Sequence, residues 1–283
     1  MKILGTGLKG LVGSRLVELL SDKVEFEYSD VNISDEKSIK QKISQSSSEI
    51  VLHLAAKTNV DACELDKELG DQGETWKVNV LGTKYIAEEC FHSNKKLMYI
   101  STDFVFDGEN PPYTESSNPN PLNWYGMTKL EGEKAVSSQS GLSFIIARIA
   151  FPYRAKSERN DFFRAILQRL QENKVVNAVE DQIFCPTFID DIGEALLKLA
   201  EEKQQGVFHV VGNQALSPYD AAQSIAKTFN LDHSLIQKTT RAEYFKNKAI
   251  RPFRLEIKND KITELGIAMS TFEEGLAIIK QQL

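Results

Sequence analysis

The sequence has no C-x-x-C pair. Its cysteines, Cys63, Cys90 and Cys185, are three in number and far apart. An odd, scattered set of thiols makes neither a disulfide framework nor a metal cage, so free thiols in a reducing compartment are expected. The histidines, His53, His92, His209 and His233, are equally dispersed, as are the acidic residues, so no metal ion is expected. His53 lies inside an apolar strand and is expected as a core histidine with satisfied nitrogens. No apolar run approaches the roughly 18 residues needed to span a bilayer. The N-terminus enters a strand and a glycine-rich turn directly, without a basic n-region or an apolar h-region, and a cytoplasmic location without a membrane partner is expected. No G-x-S-x-G nucleophile motif occurs. Basic stretches are missing too, and with a formal net charge of −6 and a pI of about 5.4 the summed field repels phosphate backbones. A nucleic-acid partner is therefore excluded, but a compact anionic ligand is not, since helix N-termini bind anions locally.

What is present is an ordinary globular composition, 41% hydrophobic and 26% charged. Short apolar runs alternate with longer amphipathic ones, the pattern of β-α-β units feeding a parallel sheet. It predicts strands over Lys2–Gly5, Val24–Tyr28, Ile50–Ala55, Leu97–Ser101, Ser143–Ala147 and Val207–Val211. Helices are predicted over Leu11–Leu20, Asp35–Ser44, Glu74–Ser93, Trp124–Ser138 and Ile189–Lys203, with Asp190 and Asp191 capping the last of these. Beyond Arg148 the rhythm loosens: a helix at Phe162–Asn173, a strand near Val175–Val179, and helices after Ser217 and Thr271. The fold class is α/β, a Rossmann-like doubly wound parallel sheet with a smaller C-terminal α/β lobe. Residues 1–150 are expected to form the doubly wound half, with 186–212 folding back onto it, and 151–283 the smaller lobe.

Directly after the first predicted strand comes Gly7-Leu8-Lys9-Gly10-Leu11-Val12-Gly13, a G-x-x-G-x-x-G turn opening a helix. In such a turn the glycines allow backbone angles and close approach that a Cβ blocks, and the amides at Leu11 and Val12 face a pyrophosphate. After the second strand the chain reads Tyr28-Ser29-Asp30-Val31-Asn32. Ser29 suits a 2′-phosphate and Asp30 a ribose 2′-hydroxyl, so the residues leave the dinucleotide open, with NADP(H) preferred and NAD(H) admissible.

Tyr125-Gly126-Met127-Thr128-Lys129 puts a phenol and an ammonium four residues apart, on one helix face. A nearby cation favours the phenolate of a tyrosine, which is otherwise a poor acid-base group at neutral pH. The motif lies one strand-loop unit after Tyr99-Ile100-Ser101-Thr102-Asp103. Because the carboxyl ends of parallel strands border the ligand crevice, Thr102 is placed to be a second hydrogen-bond donor beside Tyr125.

In these motifs, and in His53-Leu54-Ala55-Ala56-Lys57-Thr58-Asn59-Val60-Asp61, Phe104-Val105-Phe106-Asp107-Gly108, Asn120-Pro121-Leu122-Asn123-Trp124 and Asp181-Gln182-Ile183-Phe184-Cys185-Pro186-Thr187, the chain resembles the extended short-chain dehydrogenases. Within them it is similar to the dTDP-4-dehydrorhamnose reductase family. The resemblance spans nearly the whole chain and implies reduction of the 4-keto group of a nucleotide-linked 6-deoxyhexose, in deoxysugar precursor synthesis. Tyr125 is then the proton donor, Lys129 holds the nicotinamide ribose and lowers the Tyr125 pKa, and Thr102 polarises the ketone. Asn32, Ile33, Leu54, Ala55, Ala56, Lys57 and Asn79 join the cofactor site. Thr58, Val60, Asp103, Val105, Phe106, Phe151 and Arg251 face the sugar nucleotide, and a homodimer is expected. Two departures touch the sugar: Phe104 stands where the family usually has tyrosine, and Phe151 where a tryptophan is common. Both keep an aromatic body and lose a polar handle. The segment Leu65–Glu74 is longer than is usual in the family. Two rival functions share the fold: a nucleotide-sugar epimerase or dehydratase, and a non-catalytic NADP-binding subunit like the regulatory subunit of methionine adenosyltransferase.

Overall fold

Residues such as Ile50-Val51-Leu52 form a near-continuous apolar strand because helices cover both faces of a parallel sheet. The computed structural model describes every residue from 1 to 283. Its strands are β1 (Lys2–Thr6), β2 (Glu25–Ser29), β3 (Ile50–His53), β4 (Lys96–Thr102), β5 (Phe144–Ile149), β6 (Pro152–Tyr153), β7 (Val176–Val179), β8 (Thr187–Phe188), β9 (Gly206–His209) and β10 (Ile236–Thr239). The helices of the first half are α1 (Leu11–Leu20), α2 (Glu36–Gln45), α3 (Val60–Asp66), α4 (Glu74–Trp76), α5 (Thr83–His92) and α6 (Trp124–Ser137). Those of the second are α7 (Phe162–Gln171), α8 (Ile189–Glu201), α9 (Pro218–Phe229), α10 (Arg241–Tyr244), α11 (Asp260–Glu264) and α12 (Phe272–Gln282).

One six-stranded sheet, in the order β2-β1-β3-β4-β5-β9, is parallel throughout. The strand order reverses between β1 and β3, and in doubly wound sheets the crevice at such a point, above the carboxyl ends, receives the ligand. Alternation along β1 sends Ile3 into a core with Leu16 and Leu20 of α1 and Ile192 and Leu196 of α8. Leu4 goes to the opposite core, with Ile39 and Ile43 of α2 and Ile86 of α5. Each such buried aliphatic side chain contributes about 1.5–3 kcal/mol, so both sheet faces are firmly covered. A third core, around Phe163, Phe188, Ile225 and Phe272, holds the second half together beside the β7–β10 pair.

Several expectations need correcting. β3 ends at His53 rather than Ala55, because its pairing with β1 stops at Thr6↔His53, where the chain must clear the glycine turn. The helix expected over Glu74–Ser93 is opened by a π-helical turn, Lys77–Gly82, joining α4 to α5. Asp190 and Asp191 do not cap α8: the helix starts at Ile189 behind Phe188 without a side-chain cap. Both aspartates lie in its first turn, where the helix dipole favours them. Asp190 takes a bidentate Arg15 at 2.6 Å, and Asp191 accepts from Ser270 N at 2.7 Å. The last sheet strand is Gly206–His209, short of the expected Val211. Strands of two residues, β6 and β8, are too short for any hydrophobic period to announce them.

Candidate active site

At the end of β1 the chain turns through Gly7, whose φ of +72° suits glycine, and a Cβ there would lie 2.7 Å from Ala55 N. A Cβ on Gly13 would stand 2.6 Å from Leu8 Cα, so this glycine lets turn and helix touch. Gly10 precedes α1 and offers it no side-chain cap. The first-turn amides at Leu11 and Val12 are thus left for a ligand. At the end of β2 the Ser29 hydroxyl is buried and unpartnered, and exposed Asp30 is held by Lys9 Nζ at 2.8 Å. Asn32 turns its side chain to Ser34 N at 3.0 Å, while buried Ile33 lies beneath Gly82. These features fit a dinucleotide: a cradle that a Cβ would fill, free helix amides and an orphan hydroxyl near the expected ribose.

The loop after β3 completes that side. Leu54, Ala55 and Ala56 are half-buried, and Lys57 and Thr58 exposed. Asn79, on the π-turn, pins the loop by accepting from Lys57 N at 2.8 Å and donating to Lys57 O at 3.1 Å. Inserted π-turns of this kind occur often at functional sites.

Asn123 starts α6 by accepting from Gly126 N at 2.9 Å, and it also donates to Ile250 O at 2.9 Å. A Cβ on Gly126 would come within 2.2 Å of Phe104 O, so the helix is pressed against the turn after β4 just where Tyr125 stands. Thr102, 5% exposed, donates to Asp103 Oδ1 at 3.1 Å and accepts from Phe104 N at 3.2 Å. Desolvation holds the Tyr125 phenol well above its ordinary pKa; the Thr102 hydroxyl opposes this, and Asp103 and Cys63 add to it. Asp103 is 2% exposed, its Oδ2 has no partner, and burial raises its carboxyl to about 7.

Lys129, on the same helix as Tyr125, is buried. Its Nζ donates to Ile100 O at 2.7 Å and lies 4.1 Å above the Tyr99 ring, and burial lowers its pKa to about 7, opposed by Glu133.

The residues expected to face the sugar divide. Phe151, at a φ of +38°, meets Phe104 at 6.0 Å and Phe184 at 4.6 Å, and Phe104 is edge-on to Tyr125 at 5.8 Å. A positive φ on such a residue costs on the order of 1–3 kcal/mol and marks an over-determined position. Val105 and Phe106 are fully buried, and Phe106 stacks on Tyr113 at 4.3 Å. They support the turn from within rather than line the crevice. Thr58 is exposed, whereas half-buried Val60, the first residue of α3, packs against the cluster that also takes Phe104, Tyr125 and Phe151. Arg251 is tied to Asp61 at 2.7 Å and to Ala249 O, a contact its Arg-Pro context did not announce. Asn123 was readable as an N-cap two residues before Tyr125. Thr6, Thr83 and Thr128, which join the site through buried hydrogen bonds, carried no signal in the sequence.

A model of the family described as RmlD substrate binding domain matches residues 1–283. Methionine adenosyltransferase 2 subunit beta of Mus musculus is 30% identical, over 97% of this chain and 86% of that protein. The dTDP-4-dehydrorhamnose reductase of Aggregatibacter actinomycetemcomitans is 29% identical, over 99% and 98%. The crystal structure of dTDP-4-dehydrorhamnose reductase from Bacillus anthracis in complex with NADP superposes with a TM-score of 0.90 at 27% identity, covering 100% of this chain and 99% of that one.

Proposed function

The chain belongs to the RmlD substrate binding domain family, and from that premise we propose that it is an NADP(H)-dependent reductase of the 4-keto group of a nucleotide-linked 6-deoxyhexose. The observation that carries this is the convergence of Tyr125 and Thr102 at the carboxyl end of β4, where Gly126 lets α6 approach Phe104 O. Residues 1–150 serve as the dinucleotide half and 151–283 as the sugar half, with β9 returned to the sheet from the second.

The amides of Leu11 and Val12 hold the pyrophosphate, Ser29 and Asp30 the adenosine ribose, and Lys129 the nicotinamide ribose. The reduced nicotinamide, when bound, supplies the hydride. Burial keeps the Tyr125 phenol protonated at neutral pH, so it holds the proton that the ketone oxygen takes up as hydride reaches the carbon. The Thr102 hydroxyl becomes the second donor to that oxygen by turning its one proton from Asp103 Oδ1 to the bound ketone. Lys129, poised near neutrality, is suited to return a proton to the tyrosine between turnovers. Phe104 and Phe151 form an apolar wall that keeps water from the reacting carbon.

A panel of nucleotide keto-sugars tests this. A dTDP-4-keto-6-deoxyhexose should cause stoichiometric loss of the absorbance of reduced nicotinamide. No loss across the panel overturns the proposal, since an epimerase or dehydratase would recycle its cofactor. The similarity to an adenosyltransferase subunit favours a second reading, a non-catalytic partner subunit. NADPH binding without turnover on any keto-sugar selects it.

A further inference from the structure

Beneath the crevice, one run of buried hydrogen bonds joins the glycine turn to the catalytic helix. Thr6, the last residue of β1, contacts His53 Nδ1 through Oγ1 at 2.7 Å, and Ala55 N donates to the same oxygen at 3.3 Å. His53 Nε2 meets Thr83 Oγ1 at 3.0 Å, and Thr83 Oγ1 donates to Asn79 O at 2.8 Å. Asn79 Nδ2 donates to Thr128 Oγ1 at 3.1 Å, and Thr128 Oγ1 donates to Tyr125 O at 3.0 Å. Thr6, Thr83 and Thr128 are 0% exposed and His53 and Asn79 1%, so no member has water as a substitute partner.

Proton counting along this run permits one assignment. A hydroxyl has a single hydrogen, and Thr83 spends its own on Asn79 O. It must therefore accept from His53, which puts the imidazole proton on Nε2 and leaves Nδ1 to accept from Thr6. The Thr6 oxygen is then free to accept from Ala55 N, and every donor in the run is matched. The ring also stacks on Tyr99 at 5.3 Å, the same ring that Lys129 Nζ overlies.

We infer that His53 is a positioning residue: through Thr6 on one nitrogen and Thr83 on the other, it holds the glycine turn and the 55–57 loop in register with the helix that bears Tyr125 and Lys129. This rests on the NADP(H)-binding reading of the crevice. Any buried histidine needs partners for its nitrogens, because each polar atom buried without one is costly; what sets His53 apart is that its two partners, Thr6 at the end of β1 and Thr83 at the start of α5, belong to the separate segments that carry the glycine turn and the Asn79 contacts. Desolvation, with the Lys129 charge adding to it, lowers the imidazole to about 3, so the ring stays neutral in ordinary buffers.

The test compares His53→Phe, which keeps the ring and its stack but loses both nitrogens, with His53→Gln, which keeps a donor and an acceptor. NADPH affinity is measured by calorimetry, and kcat and the keto-sugar KM by turnover. We expect His53→Phe to weaken NADPH binding about tenfold and lower kcat several-fold with the sugar KM unchanged, and His53→Gln to stay within about threefold of wild type. Thr83→Val, which removes one hydroxyl, should shift NADPH affinity in the same direction and serves if His53→Phe does not fold. Nitrogen NMR of the wild type should show the Nε2–H tautomer unchanged from pH 5 to 8. The positioning role is overturned if His53→Phe loses only thermal stability, if both variants are equally impaired, or if the ring carries its proton on Nδ1. A wild type that binds no NADPH overturns the cofactor reading together with it.

Discussion

On the cofactor side of the crevice, backbone meets backbone: a Cβ on Gly7 would stand 2.7 Å from Ala55 N, and one on Gly13 2.6 Å from Leu8 Cα. The side around Tyr125 is instead built of side chains: Thr102, Phe104, Tyr125, Phe151 and Phe184. The first wall is shaped by exclusion, and any residue larger than glycine spoils it. The second is shaped by desolvation, which raises Tyr125 and Asp103 and lowers Lys129. On the proposed reading, sterics hold the dinucleotide and burial tunes the reaction.

The largest expected effect breaks the second wall and spares the first. Tyr125→Phe removes one hydroxyl, so thermal stability and NADPH affinity should stay at wild-type values while kcat falls about 10²-fold or more. Retained wild-type turnover would remove Tyr125 from its role. The converse substitution is Gly7→Ala, which needs a φ of +72° that alanine adopts poorly and a Cβ inside Ala55. NADPH affinity by calorimetry should fall tenfold or more, with kcat at saturating NADPH within a few-fold of wild type. Equal losses in both quantities would show the walls to be coupled rather than separate.

A pH experiment sharpens the role of desolvation. Asp103 has a folded pKa of about 7, above its ordinary 3.8. From about pH 4 to 7 the unfolded chain has therefore lost a proton that the folded chain keeps at Asp103, and the contribution of this group to stability falls as pH rises through that window. Asp103→Asn has no such proton, so its stability relative to wild type, followed by denaturant unfolding, should increase between pH 4 and 7. A constant difference would mean that Asp103 is not desolvated as described. The smallest effect belongs to the exposed rim of the first wall. Asp30→Asn removes a carboxylate beside the expected 2′ position and frees Lys9, so the ratio of NADPH to NADH affinity should rise a few-fold with little change in stability. A lower ratio would place the adenosine ribose elsewhere.

The contrast between the walls also explains what could be read in advance. Gly7, Gly10 and Gly13 are spaced by local backbone geometry, and Tyr125 and Lys129 by the helical repeat, so one-dimensional patterns reveal them. Phe151 and Arg251 were named from resemblance, yet their surroundings, Phe104 with Phe184 for one and Asp61 for the other, arise only when distant segments meet. Val105 and Phe106 were expected in the pocket and lie in the core, since they pack against Tyr113, Cys185, Val211 and Leu255 from segments the local pattern does not reveal.

The residues by themselves determined the α/β alternation, the glycine turn at a strand-helix junction and the Tyr125–Lys129 face, because each depends on interactions within a few residues. Tertiary structure alone decided the charge states in the crevice. Desolvation depends on all the atoms packed around a group, and for Lys129, Tyr125 and Asp103 those atoms come from strands and helices far apart in the chain. It alone also decided the pairing of His53 with Thr6 and Thr83, 47 and 30 residues away, since hydrogen bonds between segments follow from sheet register and helix docking and leave no periodic trace in the sequence.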